Sequence, residues 1–254
     1  MSTFPATASL PQSGSVVSRW LMDEASGNAI DETGSNDLTD NNTVGAGTGY
    51  SNATSGVSFD NSRDFERANS EYFSITDASQ TGLDITSGLT MAMWINVEST
   101  AGTMYLGGKQ DNDVANGNTY LFFINGAAQQ HWVVSDGSST DEVIASGAVS
   151  TATWTHWVFV YEPSTRLELY EDGGSIATNT TGIVASLNNN AYPFRLGAGK
   201  TGGGVTNYYD GLMQDAIIWS TALTDAEVSE LHDLYTTAQA AEVVQPNLLL
   251  LGVG

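Results

Sequence analysis

The sequence predicts an all-β protein: two antiparallel sheets packed face to face as a sandwich, with one short capped helix near the C-terminal end. Three observations carry this. The composition is 41% hydrophobic and only 14% charged, with 27 glycines in 254 residues and abundant Ser, Thr and Asn, which is the make-up of many short strands joined by polar turns. Apolar segments of strand length recur along the chain between turn formers. Helical spacing with a proper start signal stands out near the end, in YYDGLMQDAIIWSTALTDAEVSELHDLY. A chain of 254 residues suits a single large sandwich, since such domains often run to about 200 to 250 residues.

The first strand is SVVSRWLM, Ser15 to Met22, where Val17, Arg19 and Leu21 face opposite to Val16, Ser18 and Trp20. From Asp23 to Ser58 turn formers dominate. That stretch reads as a long loop system with one short strand near Ala29 to Ile30 or Leu38 to Thr39, and loops of this length are usually functional. Strands follow at Tyr72 to Thr76, Leu89 to Val97, Thr103 to Gly108, Thr119 to Gly126, His131 to Asp136, Asp141 to Ser146, Thr155 to Glu162 and Arg166 to Gly173. In Leu89 to Val97, Leu89, Met91, Met93, Ile95 and Val97 share one face and Ala92 and Trp94 lie on the other, so both faces are apolar and the strand should be central. Pro163 sets the φ of a tight turn in EPST, and Gly173 and Gly174 can take positive φ in EDGGS. Thr224 with Glu227 three residues on forms a capping box that starts the helix. Val228, Leu231 and Tyr235 then make an apolar stripe that can lie against a sheet.

Several of these segments occur in the order of a known family. The hairpins THWVFVYEPSTRLELYEDGGSIAT, the strand at Glu71 to Ile75, the strand at Leu89 to Ile95, PFRLG at Pro193 to Gly197, and the closing strand with its capped helix together resemble LamG-like jelly-roll domains of the concanavalin A-like lectin/glucanase sandwich family. The resemblance spans residues 15–237. It implies a jelly-roll sandwich; the residues on either side read as an N-terminal arm at 1–14 and an apolar C-terminal docking tail at 238–254 that carries Leu248, Leu249, Leu250 and Leu251. It is specific for fold and weak for function, because this fold hosts lectins, adhesins, accessory modules of enzymes and virion proteins.

The charge balance narrows the partners. With 29 acidic against 7 basic residues the formal net charge is −22, which repels a nucleic-acid backbone over most of the surface. No run reaches the roughly 18 apolar residues a membrane span needs. The chain has no cysteine, which removes disulfides, a thiol nucleophile and Cys-bound zinc from consideration. MSTFPATASLPQSGS has neither a basic n-region nor an apolar h-region, so no signal peptide is seen. Four consecutive leucines at an exposed terminus would associate, so they are expected to dock on this chain or a neighbour.

Candidate chemistry is sparse. His131, His156 and His232 lack a nucleophile-elbow context, which argues against a hydrolytic triad. Glycanases on this sandwich alternate carboxylates along one strand; here Glu168 and Glu171 are three apart and face opposite ways, and the pattern E-x-D-x-x-E is missing. Glu168 is therefore expected as a solvated carboxylate and the protein as no enzyme. Acidic Asn/Gly loops can hold a hard cation. The resemblance places a possible calcium among Asp31, Asn36 and the closing-strand Asp215, although Ala216 stands where relatives commonly have a second acid. A second acidic loop, with Asp111, Asn112 and Asp113, imitates an EF-hand opening without its closing Glu. Asn207, Tyr208 and Tyr209 could form a sugar-stacking platform, against the plainer account of one tyrosine in the core and one at the surface. The functional expectation is a non-catalytic structural or adhesive surface protein, a phage virion decoration or fibre-associated protein first and a secreted carbohydrate-binding or adhesion module second, with a glycoside hydrolase a distant third. It should sit on a virion surface or outside the cell and assemble with its own copies, with other surface proteins or with glycans.

Overall fold

The computed structural model describes residues 2–115 and 117–238. Two large antiparallel sheets face each other. The first has eight strands, in the order Gly174–Asn179, Arg166–Glu171, Trp154–Glu162, Leu89–Val97, Gly211–Trp219, Asn61–Phe65 and Gly45–Thr48, with Val16–Trp20 pairing on Gly211–Trp219 as well. The second has seven, in the order Thr140–Ile144, Gln130–Ser135, Asn118–Ile124, Met104–Gln110, Phe194–Leu196, Tyr72–Ile75 and Thr39–Asn41. Strands distant in sequence lie side by side, which is the jelly-roll arrangement the motifs imply.

Leu89–Val97 pairs on both edges and is central, as its doubly apolar pattern requires. Leu89, Met91, Met93, Ile95 and Val97 enter the core between the sheets, where Trp132, Trp157, Phe122, Phe159 and Met213 meet them. Ala92 and Trp94 point the other way, into a second apolar layer with Val158, Val160, Tyr170, Ile217 and Trp219. The helix, Asp225–Thr236, closes that layer with Val228, Leu231 and Tyr235, all fully buried. It starts on the capping box: the Glu227 amide donates to Thr224 Oγ1 at 3.3 Å and the Thr224 amide to Glu227 Oε2 at 2.8 Å.

The residues 23–58 hold more strand than the turn-rich text suggests. Thr39–Asn41, Gly45–Thr48, Ser51–Asn52 and Val57–Ser58 are short strands of polar or glycine-rich composition, and Ala29 bridges Leu38. The first two add to edges of the large sheets and the last two pair with each other, so backbone hydrogen bonds form them where side-chain alternation gives no signal. At Gly47 a Cβ would come within 2.5 Å of Leu212 Cδ2, so a bare backbone lets this edge strand approach. The arm before residue 15 is docked as well. Phe4 stacks on Phe59 with centroids 5.5 Å apart, Leu10 is buried, and Trp219 Nε1 donates to the Pro11 carbonyl at 2.9 Å. The apolar tail with Leu248, Leu249, Leu250 and Leu251 lies outside the described residues. No helix among the described residues is long and apolar enough to cross a membrane.

Candidate functional site

Asp215 sits in a bulge of the closing strand, with a positive φ of 46°, and enters a wholly buried ion pair. Arg19 Nε lies 2.7 Å from Asp215 Oδ1 and Nη2 2.8 Å from Oδ2, and Tyr235 Oη donates to Oδ2 at 2.6 Å. Arg19 also reaches the Pro5 carbonyl at 2.8 Å. One guanidinium therefore ties arm, first strand, closing strand and helix together. Burial pulls the Arg19 pKa down, and Asp215 more than reverses it, so the group is raised overall. Asp31 Oδ1 accepts the amides of Arg19 and Thr33, each at 3.0 Å, and its Oδ2 accepts the Asn36 amide at 3.1 Å. Asn36 Nδ2 donates to Ser18 Oγ and to the Thr81 carbonyl. The trio expected to hold calcium is thus a structural knot. Asp31 caps its own turn, and Arg19 stands where Asp215 would need a cation. Asp111 and Asp113 in the second acidic loop are engaged by Lys200.

A different acidic group forms where Asp64, Glu66 and Glu98 bring carboxylate oxygens within 4.8 Å of one another. Burial first, and then repulsion from neighbouring carboxylates, Glu71 and Asp210 for Asp64, and Asp64 for Glu66 and Glu98, raises all three above the ordinary carboxylate range.

Glu168 corrects the expectation of a solvated carboxylate. It is 5% exposed, pairs with Arg166, and accepts from Thr178 Oγ1 at 3.2 Å and from Ser175. Arg166 continues to Asp225 at 2.6 Å, so the network anchors the helix start to the sheet. Glu171 faces the opposite side, between the sheets, where Gln130 Nε2 donates to it at 2.7 Å.

On the outer face of the second sheet Phe123 is half-buried, and Tyr105, Leu121, His131 and Val133 around it are buried. Tyr120, Phe122, Trp132 and Val134 point into the core, so Leu121, Phe123, His131 and Val133 point outward. A bulge pairs Phe122 with Gly107 but Phe123 with Tyr105, which brings Tyr105 to that outer face. Tyr105, Leu121 and Val133 form their own apolar cluster with a half-buried Phe123. The rings run as a strip: Tyr105 meets Phe123 edge-on at 5.4 Å, and Phe123 stacks on His131 at 4.5 Å. Asn125 fixes one end of the imidazole at 2.7 Å and Glu142 the other at 2.5 Å. Beyond Tyr105, the hairpin of Gly199–Thr201 and Gly204–Thr206 lies against the sheet. A Cβ on Gly199 would fall 1.6 Å from the Tyr105 ring and 2.1 Å from Gln110 Nε2, so this contact requires glycine. Burial raises the Tyr105 phenol, opposed by bonds from Asn207 and Asn112. Gln110, 1% exposed, and Thr206 leave buried side-chain polar atoms without a partner beside this strip.

Two of the residues expected at a sugar platform stand at that end. Asn207 accepts the Tyr105 amide at 2.8 Å, and Tyr208 is half-buried 6.1 Å from the Tyr72 ring. Tyr209 is a correction: it is fully buried, 5.8 Å from Phe65 in the core, and offers no face to a ligand. Sequence reasoning missed Tyr105, Phe123 and His131. The only signal for them was alternation within three separate strands.

A family model described as the concanavalin A-like lectin/glucanases superfamily matches residues 67–229, more than half of the chain. The chain belongs to this superfamily. No curated protein sequence matches it significantly. Among solved structures it is similar to domain 4 of an extracellular arabinanase from Geobacillus stearothermophilus, at 15% identity and a TM-score of 0.62, over 85% of this chain and 98% of that one. It also resembles the receptor binding domain of a botulinum neurotoxin C/D mosaic serotype, at 12% identity and TM-score 0.59, over 87% of this chain and 51% of that one. A mutant Trypanosoma rangeli sialidase matches at 15% identity and TM-score 0.61, over 90% of this chain and 34% of that one. The chain therefore spans about half of the toxin fragment and about a third of the sialidase. At these identities the likeness is one of fold.

Proposed function

We propose that the chain is a non-catalytic glycan-binding module of an extracellular or particle surface, with its ligand lying across the strands on the outer face of the second sheet. The observation that carries this is the half-buried Phe123 ring held between Tyr105 and His131 on a face directed away from the core. Aromatic faces accept the C–H side of a sugar ring, and the exposed Glu142 carboxylate beside His131 can meet its hydroxyls. Similar folds were solved with arabinotriose, in the arabinanase domain, and with N-acetylneuraminic acid, in a botulinum neurotoxin serotype D domain. The absence of catalysis is supported by Glu168 and Glu171, which occupy opposite faces of one strand with separate partners and cannot flank one glycosidic bond.

The virion-decoration reading draws on the apolar tail, which lies outside the described residues, and no described residue adds to it. The deciding experiment is a glycan array with the full chain and with Phe123→Ala. The parent should bind a restricted set of glycans, and the variant, folded by circular dichroism, should lose them. Unchanged binding by Phe123→Ala would move the site off this face, and release of reducing sugar by the parent would contradict the non-catalytic reading.

A further inference from the structure

A second recess lies where the ends of the two sheets meet, away from the aromatic strip. It encloses about 290 Å³ and is lined by Gln130 of the second sheet, Glu171 and Ile176 of the first, and the loop around Ala145 and Gly147. That is at the lower limit of about 300 to 1,000 Å³ for small-molecule pockets, so it admits one small group and no oligomer. Its wall is unusual. Gln130 is 2% exposed, and its Nε2 is spent on Glu171 at 2.7 Å, while its Oε1 has no partner. Glu171 is half-buried, and among the described residues no Lys or Arg pairs with it. Burial raises its pKa, Gln130 opposes this, and the neighbouring Asp172 adds to it. The indole N–H of Trp157 closes no hydrogen bond and acts weakly on the same carboxylate.

The side chains that reach this recess offer acceptor oxygens and negative charge, with the apolar side of Ile176, 38% exposed, at the mouth. A neutral hydroxyl could donate to such oxygens. A cationic donor gains more, because charge-assisted hydrogen bonds are about twice as strong as neutral ones, and the net charge of −22 draws cations to the surface from a distance. We infer that this recess binds a primary ammonium group, carried by an amino sugar or a simple alkylamine, with Glu171 as its counter-ion, Gln130 Oε1 as its second acceptor and Ile176 against its carbon skeleton. The inference does not depend on the aromatic strip.

The test follows the Trp157 indole N–H resonance during titration with glucosamine, butylamine and N-acetylglucosamine. Glucosamine should shift it saturably at millimolar concentration and N-acetylglucosamine should not. Butylamine binding as well as glucosamine would assign the recess to alkylamines in general, and weaker butylamine binding would assign it to amino sugars. Glu171→Gln keeps the shape and the Gln130 contact, so it should retain or raise the thermal midpoint while lowering amine affinity at least about tenfold. Ile176→Arg, at an exposed position, should abolish the response by placing a cation at the mouth. Phe123→Ala should leave the amine response intact, which separates failure of this site from failure of the glycan site. Absence of a saturable shift with either amine, an equal shift with N-acetylglucosamine, or an undiminished response in Glu171→Gln would overturn the assignment.

Discussion

The outer face of the first sheet carries Ala92, Trp94, Val158, Val160, Tyr170, Ile217 and Trp219, and the helix and the N-terminal arm cover it. The outer face of the second sheet carries Tyr105, Leu121, Phe123 and Val133, with the hairpin at 199–206 lying against its Tyr105 end. The two faces look alike as alternating strands and differ in what the chain lays over them. Where helix and arm supply a lid, the apolar side chains become a second core layer. Where no helix arrives, the same kind of side chains remain a small cluster around a half-buried ring. On the proposed function one face serves stability and the other recognition, and each prediction below acts on one of them.

The largest effect is expected at the knot that fastens the lid. Asp215→Asn leaves Arg19 buried without its counter-ion and should lower stability by about 3–5 kcal/mol, measured by denaturant unfolding. A loss below about 1 kcal/mol would show that the arm and helix are held by apolar contact alone. Leu231→Ala removes a fully buried leucine from the lid and should cost about 2–5 kcal/mol. Glycan affinity of the folded fraction should stay the same, because the strip lies on the other sheet. A parallel loss of affinity would break the division of labour between the faces.

Acid should act on the lid. Under the helix, Trp94, His156 and His232 form a stack with centroid distances of 5.1 to 5.9 Å, with Tyr50 and Tyr235 alongside. Burial and then His232 push the His156 imidazole down to about 3 from 6.5. Burial also lowers His232, opposed by Asp172 and Asp233. The unfolded chain therefore binds protons in this range that the folded one excludes. The associated stability is complete above about pH 6.5 and is lost as the pH falls toward about 3, at about 1.4 kcal/mol per pH unit for His156. His156→Phe should flatten the slope of thermal midpoint against pH in this window. An unchanged slope would assign acid sensitivity elsewhere.

The lid was readable in the sequence and the strip was not, for a physical reason. The capping box and the Val228, Leu231, Tyr235 stripe are local, set by spacings of three and four residues in one segment. The central strand announced itself by apolar residues on both faces. The strip needs Tyr105, Phe123 and His131 from three strands, brought side by side by register and by a bulge that no single segment encodes. Alternation shows that a strand has two faces without showing which one the helix will cover. Asp215 misled for a related reason: its partner Arg19 is 196 residues away, so the carboxylate looks free in the text and is fully engaged in the fold.

On the second sheet the expected effects are on affinity. Phe123→Ala should weaken glycan binding about tenfold or more, equal to about 1.4 kcal/mol, with little change in thermal midpoint because the ring is only half-buried. Tyr208→Ala, at the end of the strip, should cost about two- to threefold, of the order of 0.5 kcal/mol, in isothermal titration with the same glycan. Equal losses at the two positions would extend the site over the hairpin.

The central claim, that recognition belongs to the outer face of the second sheet, is tested most directly by amide hydrogen exchange on the full chain with and without a glycan taken from the array. The account predicts slower exchange along Met104–Gln110, Asn118–Ile124 and Gln130–Ser135 on binding, with the helix Asp225–Thr236 unchanged. Protection confined to the helix and the arm, with those three strands unchanged, would contradict it.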